Sequence, residues 1–177
     1  MVVIGIDLAG KETNPTGICI LHNKEIQTRV LYRDEEIIST VNREQPEIVA
    51  IDAPLSTGIR LCDKMLREYG VLPANYPGMT TLAERGMRIA RTLEHFNVIE
   101  VSAKVTRRLL GFVEKEPIKV QKKLIEMGFS GDVVSKKLSP DEIDAILCAI
   151  TGQLHLLGKT KEIGNKNDKI VIPDVNI

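Results

Sequence analysis

Two stretches decide the fold: VVIGI at residues 2–6 and EIVAI at residues 47–51. Each is a short, β-branched, apolar run. Each is followed at once by an aspartate, Asp7 or Asp52, and then by a turn former, Gly10 or Pro54. A run that is apolar on both faces suits a strand covered by helices on both sides of a sheet. If the two strands are parallel neighbours, Asp7 and Asp52 lie side by side at their carboxyl ends, where open α/β sheets bind ligands.

Outward from these strands, GICIL (17–21) reads as a second strand and residues 25–32 as a third, with tight connections that predict an antiparallel meander. Residues 34–42 form a helix that Pro46 ends. Residues 80–96 form another, and VIEV (98–101) a fifth strand. Residues 104–138 hold two short helices broken at Gly111, Pro117 and Gly128. Ser139-Pro140-Asp141-Glu142 then combines an N-cap serine, proline at the first helical position and glutamate at the third, so a helix runs from here to about Leu157. KIVIP (169–173) reads as an edge strand stopped by its proline. This order predicts one α/β domain over residues 1–177, a ribonuclease H-like three-layer α/β/α arrangement. Its mixed sheet has five strands, with strands 1–3 antiparallel and strands 4 and 5 parallel to strand 1. An insertion falls at about 55–96 and a short tail at 159–177.

Composition sets the outer limits. A chain of 177 residues with 43% apolar and 27% charged residues can bury a core without disulfides, and its mean hydropathy of −0.03 excludes a disordered chain. No apolar run reaches the roughly 18 residues of a membrane span, and the first residues carry no signal-peptide pattern. Cys19, Cys62 and Cys148 are few and far apart, which argues against a disulfide frame or zinc knuckle and fits a reducing cytoplasm. The absence of Trp and an aromatic content of 3% argue against an extended base-stacking platform. Charge totals balance at 24 each, but not along the chain. Residues 1–52 hold five bases and nine acids, residues 60–91 six bases and three acids, and residues 104–137 nine bases and four acids. Such basic segments are either solvated helix faces or phosphate-binding arms.

Asp141 and Asp144 share a face near the start of the final helix, beside the small residues Ala145, Cys148 and Gly152 that would let that helix approach the sheet closely. Capping accounts for Ser139 and Glu142 but not for Asp144. Asp7, Asp52, Asp141 and Asp144 are therefore the candidate metal ligands and catalytic residues. Adjacent carboxylates repel one another, and a hard divalent cation relieves this. Mg²⁺ or Mn²⁺, one ion or two, suits a set of carboxylates completed by water and phosphate oxygens. Phosphodiester hydrolysis is the chemistry that needs such a set.

The blocks GIDLAG with a following Thr-Gly (5–17), IDAPLS with CDKMLR (51–67), GMRIA (86–90), IEV (99–101) and DEIDAILCAITG (141–152) resemble the domain-of-unknown-function family 429. Members of that family are regarded as nucleases of ribonuclease H fold. The resemblance extends in order along almost the whole chain, and it implies an acidic site at Asp7, Asp52 and the Asp141/Asp144 helix. A more distant resemblance is to Holliday-junction resolvases. Two departures stand out. Ser102-Ala103 follows strand five, where the family often has Tyr-Pro. Asp52 stands where resolvases commonly carry glutamate.

Other candidates surround this set. Glu100, inside an apolar strand, either joins the site or pairs with Arg60 or Arg67. Arg60 and Arg67, with Asp63 orienting one of them, could hold phosphates. Arg85 and Arg88 on the 80–96 helix, with the Lys122-Lys123 doublet, are candidate backbone contacts. His22, His95 and His155 have no zinc spacing. These residues point to a metal-dependent nuclease acting on structured nucleic acid, with a homodimer compatible. The rival readings are a non-catalytic module of the same fold that binds nucleic acid or a protein, and an actin-like ATP site suggested by Gly5-Ile6-Asp7 and Gly17. The latter normally needs two such domains.

Overall fold

Strand β1 (Val2–Asp7) takes the centre of a mixed sheet because its neighbours on both sides are equally apolar. The computed structural model describes residues 1–112, 114 and 116–175. β1 is followed by β2 (Thr16–His22), β3 (Glu25–Leu31), α1 (Asp34–Glu44) and β4 (Ile48–Asp52). Next come α2 (Leu61–Met65), a 3-10 turn at Arg67–Tyr69, α3 (Met79–Thr92) and β5 (Val98–Glu100). The chain continues through α4 (Ala103–Leu109), α5 (Pro117–Glu126), β6 (Ser130–Gly131), α6 (Asp132–Ser135) and α7 (Pro140–Leu156), then β7 (Thr160–Gly164) and β8 (Lys169–Pro173).

The sheet order is β5-β4-β1-β2-β3-β6. β1, β2 and β3 are antiparallel neighbours, while β4 pairs parallel with β1 and β5 with β4, as the sequence predicts. The expected count of five strands needs correction to six, because the two-residue β6 pairs parallel with β3. So short a strand has no periodicity to read. What permits it is Gly131, at φ 82, where a Cβ would lie 2.2 Å from the Ile26 carbonyl oxygen. KIVIP is not an edge of the main sheet. It pairs with residues 160–164 in a separate hairpin, which reaches β5 through a single Val101–Val171 bridge. The last two residues of the expected tail, 176 and 177, lie outside the described residues.

Two apolar layers sandwich the sheet. Ile4, Ile6, Ile18, Ile20, Val49 and Ile51 face Ile37 and Val41 of α1 and Ile89 and Leu93 of the α3 side. Val3, Cys19, Leu21, Ile48 and Ala50 face α7 together with α5 residues Val120 and Leu124. Side chains alternate along a strand, so Asp7 and Asp52 continue the row that points to α7. Gly5 admits α7 to contact distance: a Cβ there would lie 2.1 Å from the Ala145 carbonyl oxygen. A third, smaller cluster ties α2 to the hairpin through Cys62, Leu66, Val105, Ile170 and Ile172. Among the described residues no helix is long and apolar enough to cross a membrane.

Candidate metal centre

Register brings the two strand-end aspartates together. Asp7 is the direct partner of Asp52 in the parallel β1–β4 pair, one strand spacing away. On its other side Asp7 pairs with Gly17. A Cβ on Gly17 would sit 2.0 Å from the Asp141 carbonyl oxygen, so the missing side chain lets the first turn of α7 lie on β2 beside Asp7.

That turn is fixed from several directions. Ser139 Oγ accepts from the Glu142 N–H (3.2 Å), and the Ser139 N–H donates to Glu142 Oε2 (2.9 Å). Thr28 Oγ1 of β3 donates to the same glutamate at 2.7 Å, and Lys136 pairs with it at 2.9 Å. Glu142 is thus a structural anchor, and its neighbours Asp141 and Asp144 are left to face the strand ends.

The acids feel one another. Burial raises the Asp7 carboxyl from 3.8 to about 8, with Asp52, Asp144 and Asp141 adding repulsion. Burial likewise lifts Asp52 to about 7, opposed by the Ala103 N–H that donates to it at 2.9 Å. Asp7 and Asp141 open onto a cleft of about 330 Å³ that also touches Gly10 and Asn14. Asp52 opens onto another of about 220 Å³, beside Ser102 and Lys104. Asp144 is half-exposed and takes a hydrogen bond from Arg107 Nη2 at 2.6 Å; Arg107 is held in turn by the Glu114 carbonyl at 3.0 Å.

The donor set is oxygen alone, which matches Mg²⁺ or Mn²⁺ rather than zinc. Among the described residues, no three His, Cys, Asp or Glu side chains form a ready-made metal cage. Mg²⁺ does not demand one, since it keeps waters and recruits phosphate oxygens around one or two carboxylates. The residues that fit such an ion are Asp7 and Asp52, with Asp141 adjacent and Asp144 shared with Arg107.

The flanking candidates divide sharply. Arg60 is 2% exposed. Its donors are committed to both oxygens of Asp63 and to both oxygens of Glu100, the latter at 2.8 Å each. Arg60, Asp63 and Glu100 therefore form a closed ionic network, not a phosphate grip or a metal site, and Asp63 also accepts from the Ala74 N–H at 2.8 Å. Arg85 is likewise buried; it donates to Asp34, to the Ala9 carbonyl and to the Tyr32 carbonyl. Its helix turns this residue inward because the carbonyls of two loops converge there. Arg88 is exposed but shares Asp34. Lys123 donates to the Gly111 carbonyl and lies over the Phe112 ring at 4.9 Å, while Lys122 and Arg67 are exposed.

Sequence reasoning missed Lys104 and Arg107. Both lie on α4, three residues apart and so on one face, directly after the strand that ends beside Asp52. Basic residues at that spacing after a strand end were the available signal.

No known family's sequence profile matches the chain, and no curated protein does. Among solved structures the fold is similar to T. thermophilus RuvC in complex with a Holliday junction substrate. That match has a TM-score of 0.57 and 15% identity, covering 89% of this chain and 96% of that one. It is also similar to a second Thermus thermophilus RuvC structure, with a TM-score of 0.53 and 15% identity, covering 89% and 97%. The chain has a ribonuclease H-like α/β fold with a mixed six-stranded sheet.

Proposed function

We propose that this protein is a divalent-metal-dependent nuclease that hydrolyses phosphodiester bonds in structured nucleic acid, and that it belongs to the domain-of-unknown-function family 429. The observation that supports this best is the register pairing of Asp7 with Asp52 under the Asp141/Asp144 turn of α7. One or two Mg²⁺ or Mn²⁺ ions, when bound, supply an activated water and neutralise the leaving oxygen. Asp7 and Asp52 present hard oxygen donors from rigid strand ends. The Ala103 N–H fixes the orientation of the Asp52 carboxylate. Lys104, on the rim of the Asp52 cleft, is placed to meet a phosphate. The likeness to RuvC bound to a junction supports nucleic acid as the substrate class. Three free, buried cysteines fit a reducing cytoplasm.

Labelled junction, flap, hairpin and duplex substrates, incubated with Mg²⁺ or Mn²⁺, test this reading. Wild type is expected to cut at least one, and Asp7→Asn to cut it about 100-fold more slowly or worse, the loss of a few kcal/mol of charge stabilisation. Equal rates in the two proteins would end the proposal. The Arg107–Asp144 ion pair favours a second reading, in which one acid is permanently neutralised and the module binds without cutting. In that case Asp7→Asn binds as wild type does, and no divalent ion elicits cleavage.

A further inference from the structure

The segment between β4 and α3 concentrates exposed apolar side chains. Ile59 is 75% exposed, Tyr76 53% and Leu72 49%, with Leu61 and Met65 nearby. Burying them would be favourable, and single surface apolars need no explanation, but a contiguous set around a concavity does. Ile59, Val71, Leu72, Pro73 and Tyr76 line a groove of about 550 Å³, inside the roughly 300–1,000 Å³ range of small-ligand sites. Its floor is rigid, because Arg60 and Asp63 beneath it are locked in the ionic network with Glu100.

Two features identify an occupant. The groove adjoins the cleft over Asp52, for Arg60, Gly70, Val71 and Leu72 line both. Its open charges are also of one sign. Lys64 and Arg67 line it, and among the described residues neither has a carboxylate within ion-pairing distance, while Asp63 is consumed by Arg60. Lys104 continues this basic line at the shared boundary, where its Nζ donates to the Gly70 carbonyl at 2.9 Å. A second copy of the chain is a poor fit. Two-fold pairing through this face would bring two surfaces of the same positive sign together. An apolar slot with one aromatic ring, edged by cations and next to the Asp52 cleft, matches one unstacked nucleobase with its flanking phosphates.

We propose that this groove holds a single unpaired nucleotide beside the scissile strand. It packs against Tyr76, Leu72 and Ile59, with phosphates on Lys64, Arg67 and Lys104, so the substrate class is nucleic acid carrying an extruded or unpaired base. This rests on the reading of the chain as a nucleic-acid-cutting protein. A single tyrosine suits one base and not a run of them, in keeping with the low aromatic content.

The test uses the full chain with Ca²⁺ in place of Mg²⁺, and a duplex bearing one bulged 2-aminopurine against the same duplex fully paired. Wild type is expected to bind the bulged duplex about tenfold more tightly, as one base–aromatic contact allows, and to change the 2-aminopurine fluorescence. Tyr76→Ala is expected to bring the bulged duplex to the paired-duplex affinity and abolish the fluorescence change. Lys64→Glu with Arg67→Glu should weaken both ligands. Among the described residues the Tyr76 side chain makes no hydrogen bond, and an unchanged thermal midpoint would show the variant folded. Equal affinities in wild type, a preference that survives Tyr76→Ala, or a self-association that Tyr76→Ala abolishes would each overturn the proposal. Cleavage with Mg²⁺ but without the bulge preference would sink the groove and leave the nuclease. A bulge preference without cleavage would do the reverse.

Discussion

Asp7 and Asp52 bind protons more tightly in the folded chain than in the unfolded one, since both carboxyls are raised above 3.8, to about 8 and about 7. Between about pH 4 and pH 8 the folded state therefore holds the extra protons, and stability falls as pH rises across that window. The metal-free protein is expected to lose several degrees of thermal midpoint between pH 5 and pH 8. Asp7→Asn should flatten that loss and melt about 3–6 °C above wild type at pH 8. Saturating Mg²⁺ should raise wild type at pH 8 and leave the variant nearly unmoved. A wild-type midpoint that climbs over this pH range would contradict the strained-acid picture. At this scale the pairing of Asp7 with Asp52 was legible in the sequence: an aspartate closing each of two apolar strands is a local pattern. Arg60 and Arg85 were misread because partners such as Glu100, Asp34 and the Ala9 carbonyl come from distant segments, and no local spacing reveals whether an arginine points inward.

At the scale of elements, α7 is the piece on which everything converges. It crosses the sheet directly over Gly5 and Gly17. Gly5→Ala would drive a methyl into the backbone at Ala145 and Ala149, neither of which can rotate away. The expected cost is about 3 kcal/mol, read as a lowered urea midpoint, with divalent-ion binding weakened because Asp141 and Asp144 lift away from Asp7. A tolerated alanine would mean that α7 is not seated as described. The helix itself was legible from its capping box and apolar stripe, and the parallel strands from their two-sided apolar runs. β6 and the pairing of β8 were not. A two-residue strand has no period, and KIVIP looks the same whether it joins a sheet of six or a hairpin of two.

For the whole molecule, the hairpin of β7 and β8 acts as a strap on the insertion. Asp168, in the turn between them, accepts from the Leu61 and Cys62 N–H groups at 3.3 Å each, capping α2 from more than a hundred residues away. Asp168→Ala is expected to loosen the start of α2, because the Leu61 and Cys62 N–H groups lose their acceptor. The loss should show as faster amide exchange confined to α2 and the following turn, while the sheet stays protected. Uniform loss of protection would show that the hairpin is integral to global folding. The order of the chain gives this architecture one more result. A ribosome releases Asp7 and Asp52 early, but α7 emerges only after all six strands of the main sheet have been made. Until then two of the four candidate acids are missing, so the carboxylate cluster closes as one of the last events of synthesis, onto strand ends that are already made.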